Sequence, residues 1–252
     1  MTGLPWNRLC HASRGGGRFR RRLRAAVSDP GHDNADAQVR AARSHFDHEA
    51  GVYETGRRYR RLRQPRAQAI DLLGLTPDDR LLDLGCGTGA TLRALAPSVS
   101  RAVGADVAPA MIDEARRLAS GKADLEFVVA EAGQLPFADE TFSVILCTFS
   151  FHHYPRPAQA VREMARVLEG GGRLVLADSS SDLWAIRLAD AVARRREPGH
   201  VRFRSSREIA SLLTGAGFTG ITIEPRRSWY MIAQAVKPAV SSEPDGRPNA
   251  RG

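Results

Sequence analysis

The sequence predicts an α/β domain built on a seven-stranded sheet, five strands parallel and a terminal hairpin antiparallel, with helices on both faces. Three observations carry this. From residue 80 to residue 177, short apolar runs alternate with amphipathic stretches, the pattern of successive β-α-β units. Gly and Pro punctuate the junctions between them. The end of the chain then changes character: "TGITIEP" and "SWYMIAQAV" are β-rich and nearly adjacent. A parallel return needs a dozen or more residues, so these two strands must be antiparallel.

Each element has its own signal. A helical stretch over 37–62 contains "SHFDHEAGVYE" and the basic run "RRYRRLR", whose Tyr59 and Leu62 are expected to turn inward from a solvated face. "RAQAIDLLGL" is a short amphipathic helix closed by Gly74, and "TPDD" is a turn. A buried strand over 80–84 is followed by a helix over 88–96, stopped by Pro97, and a second strand over 101–105. The helix over 109–120 has Pro near its start, Gly121 after its end, and Met111, Ile112, Ala115, Leu118 and Ala119 on one face. Strands three and four occupy 125–130 and 142–148. A helix over 157–168 aligns Ala160, Val161, Met164, Val167 and Leu168, is ended by the glycines 170–172, and leads to a fifth strand over 173–177. Helices over 183–195 and 207–214 precede the hairpin.

The composition of the 252 residues, 42% hydrophobic and 26% charged, suits a soluble globular domain, and no apolar run reaches the length of a membrane span. Cys10, Cys86 and Cys147 form no C-x-x-C pair, so a reducing, cytoplasmic setting is expected, without disulfides. The net charge is +9; seven arginines in residues 1–28, with no acid among them, leave +2 for the rest. Residues 1–36 and 238–252 are expected to be disordered tails around a domain over 37–237, with 37–64 a helical lid. The basic tail could touch nucleic acid; a solvated extension is the simpler reading.

The stretch "LLDLGCGTGA" carries the chemistry. Gly85, Gly87 and Gly89 fall where a parallel strand feeds a helix, the ligand crevice of such sheets, and their lack of Cβ permits close approach. The same letters satisfy the dinucleotide pattern G-x-G-x-x-G/A, with Ala90 last, and Asp106 at the end of the second strand suits a ribose diol for either ligand.

With "AVGADVAPAMIDEAR", "AEAGQLPFADETFSVILCTFSFHHYPRPAQAVREMARVLEGGGRLVLAD" and "FTGITIEP" in order behind it, the chain resembles the class I S-adenosylmethionine (SAM)-dependent methyltransferases, closest to their small-molecule, methyltransferase type 11-like branch. The resemblance runs from about residue 46 to residue 236 and implies a Rossmann-like sheet. It implies that Asp83, Gly85, Cys86, Gly87 and Gly89 surround the methionine part of SAM and that Asp106 accepts from both ribose hydroxyls. It further implies that Ala105 and Val107 flank that acid, that Met111 packs on the adenine, that Glu131 and Ala132 hold its edge, and that Phe149 lies beside the donor methyl. Two positions depart from the family: Glu131 and Ser143 stand where Asp is common, the second a structural position.

The implied reaction is methyl transfer to a small-molecule acceptor at O, N or C, by a monomer or homodimer. His152 and His153, on the loop after the fourth strand, are candidate bases for the acceptor proton. Adjacent histidines rarely point the same way, so no metal site is expected. His45, His48 and Tyr53 are candidates for a lid, and His200, Arg202 and Phe203 for substrate contacts. Competing readings are an RNA methyltransferase, a SAM-binding module without turnover, and a nicotinamide dehydrogenase. The segment "CTFS" lacks the N/D-P-P-Y/F element that stacks a flipped base, which counts against the first.

Overall fold

The computed structural model describes residues 30–120, 125–224 and 228–239. The arginine-rich segment 1–28, Gly121, Pro225 and the segment 240–252 lie outside the described residues. Helix α1 (Pro30–Glu49) begins before the expected start at residue 37, with Pro30, whose ring favours a first-turn position, as its first residue. The helical stretch expected over 37–62 is helical in three segments: a 3-10 segment (Ala50–Thr55) and α2 (Arg57–Arg61) follow α1. Gly56 divides them by adopting an extended backbone, φ −63° and ψ 153°. α3 (Arg63–Asp71) completes this layer, with Gly74 at φ +54° just beyond it.

β1 (Arg80–Leu84), α4 (Ala90–Leu95), β2 (Arg101–Asp106), α5 (Pro109–Leu118), β3 (Leu125–Val129) and β4 (Phe142–Thr148) then alternate as the periodicity requires. α6 (Pro157–Val167) leads into β5 (Leu168–Ser179), which is longer than expected. The glycines 170–172 lie inside this strand: Gly171, at φ +83°, donates its N–H to the Lys237 carbonyl, so the returning terminal strand captures the run. α7 (Trp184–Arg196) and α8 (Ser206–Gly215) follow, the second opened by a capping box in which Ser205 and Glu208 satisfy each other's backbone N–H. β6 (Thr219–Glu224) and β7 (Tyr230–Val236) form the hairpin.

The strand order is β3-β2-β1-β4-β5-β7-β6. The first five are parallel; β7 runs antiparallel to both β5 and β6. Both faces are covered, so successive residues such as Leu81 and Leu82 are fully buried on opposite sides. Val161 and Met164 of α6 and Ile209 and Leu213 of α8 pack on one face; Leu92, Ile112 and Ala115 of α4 and α5 pack on the other. Each such large side chain removed from water contributes on the order of 1.5–3 kcal/mol. Among the described residues no helix is long and apolar enough to cross a membrane.

At the amino ends of the strands, Arg173 pairs with Asp79 at 2.6 Å, and Ser143 donates to the same carboxylate at 2.7 Å. Burial opposes the Asp79 charge, but these bonds and the Thr76 N–H outweigh it and hold its pKa at about 2. Ser143 is thus a strut in this network, remote from the cleft.

Candidate functional site

The carboxyl ends of β1 to β4 open into a cavity of about 790 Å³, its mouth included, at the point where the strand order reverses between β1 and β4. α1 and the 3-10 segment behind it roof the cavity with Val39, Ala42, Phe46 and Tyr53. Polar contacts fix α1 there: Asp47 caps the N-terminus of α5 through Ala110 N–H at 2.9 Å, and Arg43 donates to the Val107 carbonyl at 3.0 Å.

The three glycines do different work. Gly85, at φ +78°, is bare because Ser150 fills the space where its Cβ would stand. Gly87, at φ +53°, lines the cavity with nothing nearer than 3.5 Å to an added Cβ. Gly89, at φ +74°, is the N-cap of α4; a Cβ there would stand 2.6 Å from the Phe127 ring. It does not line the cavity, so its bareness serves packing. Cys86 also turns away, its Sγ packed over Gly104, where an added Cβ would stand 2.8 Å from it.

Asp106, Val107, Met111, Glu131, Ala132 and Phe149 all line the cavity. The Asp106 carboxylate accepts from Gly87 N–H at 2.9 Å and Ala108 N–H at 3.0 Å, which locks the glycine loop to the end of β2. Burial raises its pKa, against the pull of those N–H groups. Glu131 is held by Arg156 at 2.6 Å, and Arg156 reaches Asp36 of α1 at 2.6 Å with its other nitrogen. Phe149 has φ +53°, a conformation that costs a non-glycine residue on the order of 1–3 kcal/mol and tends to mark functional sites. Its N–H bonds the Ala177 carbonyl at 2.7 Å and its ring stacks near Trp229, which together hold the strain.

A smaller void of about 280 Å³ lies beside the glycine loop, lined by Arg66, Asp83, Cys86 and Thr88 among others, and shares Tyr53, Gly85 and Thr148 with the main cavity. Asp83 is 1% exposed, and its Oδ1 has no hydrogen-bond partner among the described residues. Burial pushes its pKa up to about 7, while the Arg66 charge lowers it and Asp106 raises it. The Nε of Arg66 is likewise buried and unpartnered among the described residues. An acid and a base, each with an unused polar atom, face one void. Arg66 belongs to "RQPRAQAID", where no local pattern marks it as a ligand group.

Of the two candidate bases, only His153 reaches the cavity wall. His152 is 3% exposed and lies behind it. Contrary to the expectation that adjacent histidines diverge, the 3-10 turn Phe151–His153 brings their rings to 4.0 Å between centroids. Tyr53 lines the cavity as a lid residue should, but His45 and His48 do not: His45 faces Glu49, and His48 bonds the Ser44 carbonyl. His200, Arg202 and Phe203 do not line it either; His200 is buried on Asp190 and Phe203 packs on His152, because Asp190 of α7 draws that loop inward. Ser150 and Tyr154, hydrogen-bonded at 3.0 Å, are wall residues that carried no sequence signal of their own. Burial pushes the Tyr154 hydroxyl well above its ordinary pKa, so it stays neutral.

The family model described as "Methyltransferase domain" matches residues 82–176. The chain is 36% identical over 141 residues to the uncharacterized methyltransferase YcgJ of Bacillus subtilis, covering 54% of this chain and 56% of that one. It is 32% identical over 176 residues to a demethylmenaquinone methyltransferase of Beutenbergia cavernae, covering 62% of this chain and 72% of that one. The chain therefore spans about half the length of the first relative and more of the second. The crystal structure of YcgJ superposes with a TM-score of 0.61 at 23% identity, covering 68% of this chain and 97% of that one, a likeness of fold.

Proposed function

The chain belongs to the methyltransferase-domain family, and from that premise we propose that it transfers the methyl group of SAM to a small apolar acceptor, releasing S-adenosylhomocysteine. The observation that carries this reading is the pair of unused buried atoms beside the glycine loop, Asp83 Oδ1 and Arg66 Nε. The amino-acid end of SAM is a zwitterion. Its ammonium matches the carboxylate and its carboxylate matches the guanidinium, and a buried charged group left without a partner is costly.

The remaining residues fit the rest of the cofactor. Gly87 allows close approach of the chain. Each Asp106 oxygen already accepts one N–H and keeps capacity for a ribose hydroxyl. Val107, Met111 and Ala132 offer an apolar slot for the adenine, with Glu131 at its edge.

SAM, when bound, supplies a sulfonium methyl that is already electrophilic. What this chain must add is alignment, which in favourable cases lowers a barrier by roughly 7–11 kcal/mol. Phe149 and Tyr154 wall the cavity at the carboxyl end of β4, and Phe46 and Tyr53 roof it. Together they exclude water and present apolar, largely aromatic surface to an acceptor. The name of the Beutenbergia relative supports an acceptor of the quinone kind.

The test is calorimetric titration of the full chain with S-adenosylhomocysteine. Binding is expected, weakened at least about tenfold by Arg66→Ala, the cost of one lost charged hydrogen bond. No heat at millimolar ligand, from a chain that melts cooperatively, would remove the reading.

A further inference from the structure

Behind the His153 wall, His152, His153 and Glu197 bring one ligand atom each within 4.8 Å of one another. We propose that these three residues form a binding site for a divalent transition-metal ion of the Zn²⁺ type, set against the acceptor side of the cavity.

The tautomers argue first. His152 Nδ1 lies 2.7 Å from Asp178 Oδ1, and the same carboxylate accepts the backbone N–H groups of His152 and Ser179. His153 Nδ1 lies 2.9 Å from the Gly199 carbonyl, which can only accept. In both rings Nδ1 therefore carries a proton, which leaves Nε2 as the atom that would ligate an ion. Anchoring the remote nitrogen on a carboxylate or a carbonyl is how proteins orient metal-binding imidazoles.

The surroundings argue next. The two imidazoles are 3% and 6% exposed, and their rings are tilted by 43°. A third ring, His200, lies 5.4 Å and 6.1 Å from theirs by centroid. Its Nε2 is taken by Asp190 at 2.8 Å, and its Nδ1 has no hydrogen-bond partner among the described residues. Two imidazoles and a carboxylate thus converge in one place, beside a third imidazole.

The donor set argues for the type of ion. Two imidazoles and one carboxylate suit Zn²⁺, Fe²⁺ or Mn²⁺, with positions left open, and suit Mg²⁺ or Ca²⁺ poorly. Glu197 follows the last turn of α7 and is half-buried, while Asp178 and Gly199 hold the histidines. His153 belongs both to this set and to the cavity wall, so an ion here would sit against that wall and fix its histidine.

The probe is Co²⁺, whose visible absorption reports ligand geometry without any need for turnover. The full chain, stripped with chelator, is expected to take up one tight equivalent of Co²⁺ that Zn²⁺ displaces. Glu197→Gln and His153→Gln should each lower that affinity at least about tenfold, with native circular dichroism and cooperative melting. The proposal is overturned if no tight equivalent binds, or if binding is the same in both variants. S-adenosylhomocysteine titration of the same samples reports separately on the methyl-donor cavity, so failure of one reading is not failure of the other.

Discussion

Ser150 occupies the space into which a side chain on Gly85 would grow, and the two are joined across the carboxyl ends of β1 and β4. Ser150 Oγ donates to the Leu84 carbonyl at 3.2 Å and meets the Tyr154 hydroxyl at 3.0 Å, so it cannot swing aside freely. Gly85→Ala therefore meets both a positive φ and a fixed neighbour. We expect a loss of about 2–5 kcal/mol in urea unfolding, from strain and overpacking together. Adding Ser150→Gly should restore the packing part and leave the strain. A double variant no more stable than the single one would show that the contact with Ser150 is not the cause.

Gly87 is the contrasting case. Its φ of +53° is strained for alanine, but an added Cβ meets nothing nearer than Tyr53 at 3.5 Å. Gly87→Ala should cost only about 1–2 kcal/mol of stability. Its affinity for S-adenosylhomocysteine should fall much further than that of any variant on the exposed face of α4. Calorimetry and unfolding of the same preparation separate the two effects; an affinity unchanged from the parent chain would take Gly87 out of the ligand's path.

Asp83 makes stability depend on pH. Burial raises its pKa from 3.8 to about 7, so between those values the folded chain holds a proton that the unfolded chain has released. Stability must then fall as pH rises through that window and level off above about 7. Asp83→Asn removes this slope. Relative to the parent chain it should gain on the order of 2–4 kcal/mol on going from pH 4 to pH 8. If the carboxylate also takes the ammonium of SAM, S-adenosylhomocysteine should bind the parent chain more tightly as pH rises towards 7. Parallel stability profiles for the two chains would mean that Asp83 is ionised throughout.

Most of the sheet was legible because its signals are local. The bounds of β1 and β4 coincide with their apolar runs, and the hairpin follows from a link too short for a parallel return. Local rules failed where a distant partner decided. The glycines 170–172 read as a helix stop, yet Lys237, just past the last strand, pairs with them and extends β5. Gly89 read as a ligand glycine, yet Phe127 of β3 explains its bareness. The histidine pair read as divergent, because nothing in "FHHYPRP" reveals that Asp178 and Gly199 pin both rings from outside. Arg66 and Glu197 gain meaning only when the chain brings them to Asp83 and to the histidines. The glycine loop was legible by motif; the His153 side of the cavity is assembled from residues far apart in the chain and was not.

Arg156 joins α1 to the cleft. Its two nitrogens reach Asp36 on α1 and Glu131 beyond β3, each at 2.6 Å, and its side chain is 20% exposed. Asp36 is half exposed, so that ion pair contributes about 1 kcal/mol or less to global stability. Its larger effect is positional, because α1 carries Val39, Ala42 and Phe46 over the cavity. Arg156→Ala should leave the melting temperature nearly unchanged while amide exchange in α1 accelerates. Affinity for S-adenosylhomocysteine should drop by about 5–30-fold, the equivalent of 1–2 kcal/mol. Arg156→Lys, able to reach one partner but not both in the planar two-pronged manner of a guanidinium, should fall between. High salt should mimic part of the alanine effect in the parent chain and none of it in the variant, since it screens a pair the variant lacks. Exchange in α1 that is the same in all three chains would mean that α1 is held by Asp47 and Arg43 alone.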